Sequence, residues 1–491
     1  MAESVQPRLY HSQPTFPSGG LPRVLAGRKV ELWLAVAGAA AAALFVFAPL
    51  SIALVGAPAI LVLSAVESES FLLLVIFLMP VGWVLRADVP LRYVPVAARC
   101  LVIVGFFLGR LWRGRIDARG LLRPSVSWAS LLFLGAALAS AVLLRGAWTH
   151  ESARSLYEMA SYFGFYLLVL AWADSSQRIQ KILTVLLCST IVTAVFAIFQ
   201  EIVGGYTSLW LYLNPPSDSF LPWGGRATSF LNYSNSLAGY LNLVLPFALA
   251  CYALGKGKWR KLGAWTVGLG FIALVCTQSL GGLAAFGCVL ILAIFCFVRP
   301  WRSRLLFLAG VCTLAIGFYV TREILNPAHV GSSVGYDAAS RLLLWGTAWD
   351  LFVHSPVLGV GWGNFTELYG SYVTDFSWMP QGIFAVHNIY LQFLAETGLV
   401  GFTVFSLLIF RAIRQALRQL RCSEAVLDRA LAFGVLGAVL TVLVHGLADF
   451  LFQVSPQFGT LFWTLLALLV VSGRMQSESA LGKPGVSSRL A

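Results

Sequence analysis

The sequence predicts an all-α polytopic integral membrane protein with about 12–14 transmembrane helices. Three observations predict it. Of 491 residues, 58% are hydrophobic and only 11% are charged, whereas a soluble domain is about one-quarter charged. Apolar runs of roughly 17–25 residues, long enough to cross a bilayer as a helix, recur along the chain. The alternation of a membrane β-barrel is absent.

The spans fall near 30–48, 50–66, 70–85, 94–111, 126–144, 155–173, 182–203, 234–254, 262–278, 281–298, 304–322, 387–410, 429–447 and 456–472. The first two crowd around Ala48–Pro49, which lowers the bound of the count. Residues 1–28 are polar and Pro-rich with no cleavage pattern, so the first span is expected to be an anchor and not a signal peptide. The chain then divides into a cytoplasmic tail (1–28), an N-terminal bundle (29–203) and a core (204–410) holding external loops 204–233 and 323–386. C-terminal helices (411–472) and a disordered cytoplasmic tail (473–491) follow.

The net charge of +13 could point to nucleic acid, but its placement argues for a membrane. With both termini in the cytoplasm and spans alternating, most Lys and Arg fall inside, in RLWRGRIDARGLLR (110–123), KGKWRK (256–261), RPWRSR (299–304) and RAIRQALRQLR (411–421). The outside keeps only arginines: Arg86, Arg92, Arg145, Arg154, Arg226, Arg322 and Arg341. This is the positive-inside bias, and no nucleic-acid groove is implied. The eight cysteines lie in spans or inside, so no disulfide is expected. No C-x-x-C or His cluster offers a metal site, and no cofactor motif is present.

The external loops 204–233 and 323–386 are long and rich in Trp, Tyr and Phe, which marks them as functional rather than disordered. Within the second, SRLLLWGTAWDLFVHSP (340–356) reads as a short amphipathic helix capped by Ser340 and stopped by Pro356, lying at the membrane surface through Trp345 and Trp349. Arg341 sits one turn above Trp345. Glycines 359, 361 and 363 in PVLGVGWGNF suit tight turns near a ligand.

Arg226 stands just before the span at 234. Asn235, Gly239 and Asn242 form a small polar stripe on that helix and read as helix–helix glue. In VHNIYLQFLAETGLVGF (386–402), Asn388, Gln392 and Glu396 form one stripe descending about 12 Å. Glu396 reads as structural, because a carboxylate at that depth needs a partner. His387 lies on another side of the helix, at its outer end, where free N–H groups attract anions and keep an imidazole neutral. From these residues alone two readings stay open: a general base, or an interfacial histidine tied to loop backbone.

Three signatures occur in order: RATSFLNYSNSLAGYL (226–241), SRLLLWGTAWDLFVHSPVLGVGWGNF (340–365) and HNIYLQFLAETGLVGF (387–402). Together they resemble the O-antigen ligase/polymerase superfamily over roughly residues 224–410. The resemblance implies a glycosyltransferase-C-like bundle whose long external loop carries short helices. It implies transfer, with inversion and without metal, of a glycan from an undecaprenyl-pyrophosphate carrier to an acceptor hydroxyl, at the outer face of the bacterial inner membrane. The acceptor would be lipid A-core in a ligase, another lipid-linked glycan in a polymerase, or a protein Ser or Tyr, with other polysaccharide-assembly proteins as possible partners.

By the same resemblance His387 would be the catalytic base. Arg226 and Arg341 would hold the pyrophosphate, with Trp345 and Asn388 also on the substrate side. One departure stands out. In TQSLGGLAAF (277–286), Leu280 occupies a place where relatives commonly carry a phosphate-binding Arg, leaving Arg322 or Arg154 to supply that charge. Two other classes remain: a bicarbonate-type secondary transporter, for which Arg99 inside a span is the best argument, and a non-catalytic export component. The outer placement of the polar residues and the lack of a repeat favour the enzyme.

Overall fold

The computed structural model describes residues 49–81, 94–143, 149–202, 226–231, 233–325, 327–372 and 385–481. The predicted span at 30–48 and most of the external loop 204–233 lie outside the described residues. From 50–66 onward each predicted span overlaps a helix, although the span at 70–85 does so only in its first half among the described residues. The N-terminal elements are α1 (Pro49–Ala65), α2 (Glu69–Phe77), α3 (Val94–Trp112), the short α4 (Ala118–Leu122), α5 (Ser125–Leu143), α6 (His150–Trp172) and α7 (Ser176–Ile202). The core follows as α8 (Ser234–Leu254), α9 (Gly257–Cys276), α10 (Leu280–Phe297), α11 (Trp301–Leu325), α12 (Pro327–His354) and α13 (Phe365–Tyr372). The last elements are α14 (Ile389–Cys422), α15 (Val426–His445), the single turn α16 (Leu451–Val454) and α17 (Pro456–Leu481).

The protein is an all-α, multi-pass membrane protein. Among the described residues seven helices are long and apolar enough to cross a membrane, or eight if the bent pair Gly56–Ala65 and Glu69–Phe77 is one broken span. That count covers the described residues alone, and the predicted span at 30–48 is not among them. Among the described residues of the predicted span 70–85, the helix is Glu69–Phe77, nine residues, too short at 1.5 Å each to cross hydrocarbon by itself. Other helices carry ionisable groups along their length, as α6 does with Glu151, Arg154 and Glu158.

Helices α8 and α17 are the most enclosed. Pro246 inside α8 faces Gly437 of α15, where a Cβ would come within 2.3 Å of the proline ring. Close contact through small residues is how helices associate where lipid removes the hydrophobic drive. Asn242 of α8 donates to the Gly282 carbonyl of α10 at 2.7 Å, while Gly239 packs under Leu451 and Phe458. Arg99 is buried inside α3. It donates to the Pro456 carbonyl at 3.3 Å and to the Thr460 hydroxyl, and lies 5.0 Å over the Tyr162 ring. Pairing of this kind makes a charge tolerable inside a bundle.

The two ends of the bundle differ. One end holds Arg110 and Arg113 on Glu67, at 3.2 and 2.5 Å, and Arg178 on Asp174 at 2.8 Å. The other end gathers the loops that carry Arg226, Arg341 and His387.

Between these ends, α14 is broken. Gly398 has φ 62° and ψ −163°, a backbone conformation open essentially to glycine alone. The break strips helical partners from the carbonyls of Ala395 and Glu396 and the amides of Leu399 and Val400. The segment following α12 supplies all four. Val360 and Gly361 amides donate to the Ala395 and Glu396 carbonyls at 2.8 and 3.0 Å, while Leu399 and Val400 amides donate to the Pro356 and Val357 carbonyls at 2.9 and 3.1 Å. Such backbone is tolerated at membrane depth only where protein surrounds and satisfies it.

This exchange explains the glycine run. Gly359 and Gly363 both have positive φ; a Cβ on Gly359 would lie 2.3 Å from the Glu396 backbone, and one on Gly363 2.6 Å from Ser155 Oγ. The close approach the glycines permit is to the protein's own helices. The helix ahead of the run also differs from expectation. It begins at Pro327, so Ser340 does not cap it. Its buried residues Leu344, Ala348 and Leu351 pack with Phe365, Val386 and Ala395, so it docks on the bundle while Trp349 stays exposed.

Gly398→Ala must force a Cβ to 2.4 Å from the Val357 backbone at a positive φ. We expect a loss of roughly 3 kcal/mol or more, read as a lowered thermal midpoint of the detergent-solubilised protein.

Candidate functional site

The chain enters α14 through Val386, His387 and Asn388, and each neighbour of His387 is pinned. The Val386 amide donates to Gln392 Oε1 at 2.8 Å, and its carbonyl accepts Trp345 Nε1 at 3.1 Å. Asn388 is the N-cap: its Oδ1 accepts the Tyr390 and Leu391 amides at 3.0 and 3.1 Å, while its Nδ2 donates to the Leu447 carbonyl at 3.4 Å. The Ile389 amide donates to the Gly446 carbonyl at 2.7 Å. Held from both sides, His387 takes φ 52°, an uncommon conformation for a non-glycine residue that persists only where the surroundings over-determine it.

His387 Nδ1 lies 3.2 Å from Oδ1 of Asp449, in the turn after α15; the side chains are 33% and 5% exposed. The same Oδ1 accepts the Phe450 amide at 2.8 Å, and Oδ2 accepts Asn235 Nδ2 at 2.9 Å. Burial alone would push the Asp449 carboxyl up, but the His387 hydrogen bond and charge, the nearby His445 and the Phe450 amide hold it below the ordinary carboxylate range. Asp449 is therefore a carboxylate, which only accepts hydrogen bonds. With the carboxylate as acceptor, His387 Nδ1 is the donor of this hydrogen bond.

Asn235 extends the network, because its Oδ1 accepts an η nitrogen of Arg226 at 2.9 Å. Arg226 Nε donates to the Thr277 carbonyl at 2.9 Å. Arg341 arrives from α12 and donates to the Ala448 carbonyl at 2.7 Å, one residue before Asp449. Thus Arg226, Asn235, Asp449 and His387 form one hydrogen-bonded chain, with Arg341 on its border. Asn235 was read from sequence as helix glue; it also bridges guanidinium and carboxylate.

The other predicted residues are placed differently. Glu396 accepts the Phe365 amide at 3.0 Å and Gln453 Nε2 at 2.8 Å, and Gln453 meets Gln392 at 3.4 Å. It clamps the turn at 363–365 and does not join the His387 network. Arg154 pairs with Glu151 at 2.8 Å, and none of its described contacts reaches Asp449 or His387. The Arg322 side chain lies outside the described residues. Leu280 is 45% exposed at the first turn of α10, so that side chain is not packed into the core. Beside it, Gly281 leaves room for His445 and Ala448, which a Cβ would meet at 2.9 and 3.1 Å.

Asp449 and His445 were missed by sequence reasoning. Both lie in HGLADF (445–450), at the end of a predicted span facing the same side as His387. An acidic residue at such a place was a readable signal.

A helical membrane bundle with a His–Asp pair and two arginines at one end is the class of protein these features define. The family model described as O-antigen ligase matches residues 265–406. The exopolysaccharide production protein ExoQ of Rhizobium meliloti (strain 1021) is 28% identical over 227 residues, covering 42% of this chain and 50% of that protein. Over residues 265–406 the chain is therefore similar to the O-antigen ligase family, and over 42% of its length to a protein of exopolysaccharide production. The matched segment takes in Arg341 and His387 and stops short of Asp449; Arg226 and Asn235 precede it. The chain spans half the length of this curated relative.

Leu280→Arg should leave unfolding within about 0.5 kcal/mol of the parent, as surface changes do, measured by thermal denaturation. Asp449→Asn tests the linkage. A carboxyl depressed from its usual 3.8 contributes stability that is fully present above that value and lost as pH falls through its lower folded value. The stability gap between parent and Asp449→Asn should narrow as pH falls below about 4, in acid titrations of thermal midpoint.

Proposed function

We propose that this protein transfers a glycan from an undecaprenyl-pyrophosphate carrier to an acceptor hydroxyl, with inversion and without a metal ion. The observation that carries the reading is the continuous chain Arg226–Asn235–Asp449–His387, bordered by Arg341. A pyrophosphate leaving group needs positive charge where negative charge develops, and fixed guanidinium forks supply it. Arg341 spends one nitrogen on the Ala448 carbonyl, and among the described residues the rest of its fork has no partner. On the other side of the reacting carbon, His387 Nε2 takes the acceptor proton as the hydroxyl attacks opposite the pyrophosphate. Asp449 fixes the tautomer and stabilises the imidazolium that results. Its one-third exposure lets His387 meet a substrate from outside the bundle.

The membrane orientation follows from charge. The end opposite the site carries the arginines of 110–123 and 411–421, so it faces the cytoplasm by the positive-inside rule. This supports a reaction on the outer face of the bacterial inner membrane, where lipid-linked glycans and their acceptors meet. Asn388 is occupied as a cap and Trp345 ties α12 to Val386, so both position the site's rim. The name of the relative, an exopolysaccharide production protein, favours a growing lipid-linked chain over lipid A-core as acceptor.

In a strain lacking the chromosomal copy, His387→Ala should abolish the surface polymer, while membrane abundance stays at the parental level. Arg341→Ala should lower transfer about 100-fold or more. Parental polymer from the His387 variant would remove the base from this mechanism. The banding of surface polysaccharide separates chain growth from ligation to lipid A-core.

A further inference from the structure

At the end of the bundle away from His387, α3, α4, α6 and α17 enclose a cavity of about 320 Å³. Its lining is of two kinds. Phe107, Leu121, Leu170, Val471 and Met475 are apolar; Arg110, Arg115, Arg474, Asp117 and Asp174 carry charge. Most of the charges are committed. Asp117 Oδ1 accepts the Gly120 amide at 2.9 Å, and Asp174 pairs with Arg178. Arg110 and Arg113 share the single carboxylate of Glu67, which leaves that corner with an excess positive charge. Arg474 reaches the Gly120 carbonyl. Arg115 is exposed and, among the described residues, its guanidinium has no partner.

An anion with phosphate geometry suits an open guanidinium fork. The surroundings decide what carries that phosphate. Leu111 and Trp112, at the last turn of α3, are 65% and 92% exposed, and Ile116, part of the cavity wall, is 38% exposed. Side chains of this kind at the end of a membrane helix sit at the boundary of lipid and water. A cavity that joins apolar walls to cations there fits an amphiphile better than a soluble ion. Basic pockets between helices on the cytoplasmic side are the usual seats of anionic headgroups.

We propose that this cavity binds the phosphate headgroup of an anionic phospholipid, with Arg115 as its principal contact and Arg110 and Arg474 contributing field. The site lies at the other end of the bundle from His387 and depends on none of its chemistry. The test uses the full-length protein, stripped of lipid in detergent and titrated with phosphatidylglycerol, cardiolipin, phosphatidylcholine or inorganic phosphate, with the unfolding midpoint as readout. Phosphatidylglycerol or cardiolipin should raise the midpoint, whereas phosphatidylcholine and inorganic phosphate should not. Arg115→Glu should weaken the apparent lipid affinity at least about fivefold, and Arg115→Lys should keep part of it. The lipid-free midpoints should match the parent, since the Arg115 side chain holds nothing in the fold. An equal rise with phosphatidylcholine, a rise with inorganic phosphate alone, or a rise that survives Arg115→Glu would overturn the proposal.

Discussion

The exchange of four backbone hydrogen bonds at Gly398 is the interaction on which the site depends. A helix cannot simply break at membrane depth, because each stranded amide or carbonyl costs several kcal/mol there. Here the break in α14 and the segment 356–361 complete each other. Neither is satisfied alone, so the external loop must thread into the bundle at this depth. Glu396 then grips the turn at 363–365, Trp362 stacks on Phe393, and α12 is drawn down onto the bundle.

From that anchor the site follows by short steps. Docked α12 brings Arg341 to the turn after α15 and places the Trp345 indole on Val386. With Val386 fixed and Asn388 capping α14, His387 is left between two fixed points in a strained conformation facing Asp449. The polar stripe of α14 is thus divided by depth. Asn388 serves the helix end, Gln392 the preceding loop, and Glu396 the inserted segment, while the histidine beside them turns to Asp449 and stays one-third exposed. These three polar residues in an apolar helix are the connectors of a loop that must be held without water.

The segregation of charge gives the bundle its sense. Carboxylates at the basic end are few and shared, as Glu67 is by two arginines, and the excess meets headgroups. At the other end the guanidinium groups of Arg226 and Arg341 are each held by a backbone carbonyl, so that their positions are set before any ligand arrives. Pre-placed cations cost no reorganisation when charge develops, and electrostatic catalysis has this requirement. Leu280, half-exposed beside Gly281, leaves that ring of charge thinner than the family resemblance implies.

The sequence by itself determined the helical membrane class, the positions of nearly all helices and the uneven distribution of basic residues. Hydrophobic run length and charge are local properties, and the bilayer reads them directly. It also marked Arg226, Arg341 and His387 as residues of interest. Only the tertiary structure decided what they touch. Asn235 and Asp449 are 214 residues apart, and no periodicity could pair them or show that Asp449 hydrogen-bonds to His387. The glycines of 359–363 likewise looked suited to a ligand, because a sequence records that a close approach is permitted and not by what. Long-range pairing of buried polar groups is fixed by the packing of whole helices, and packing is a property of the bundle.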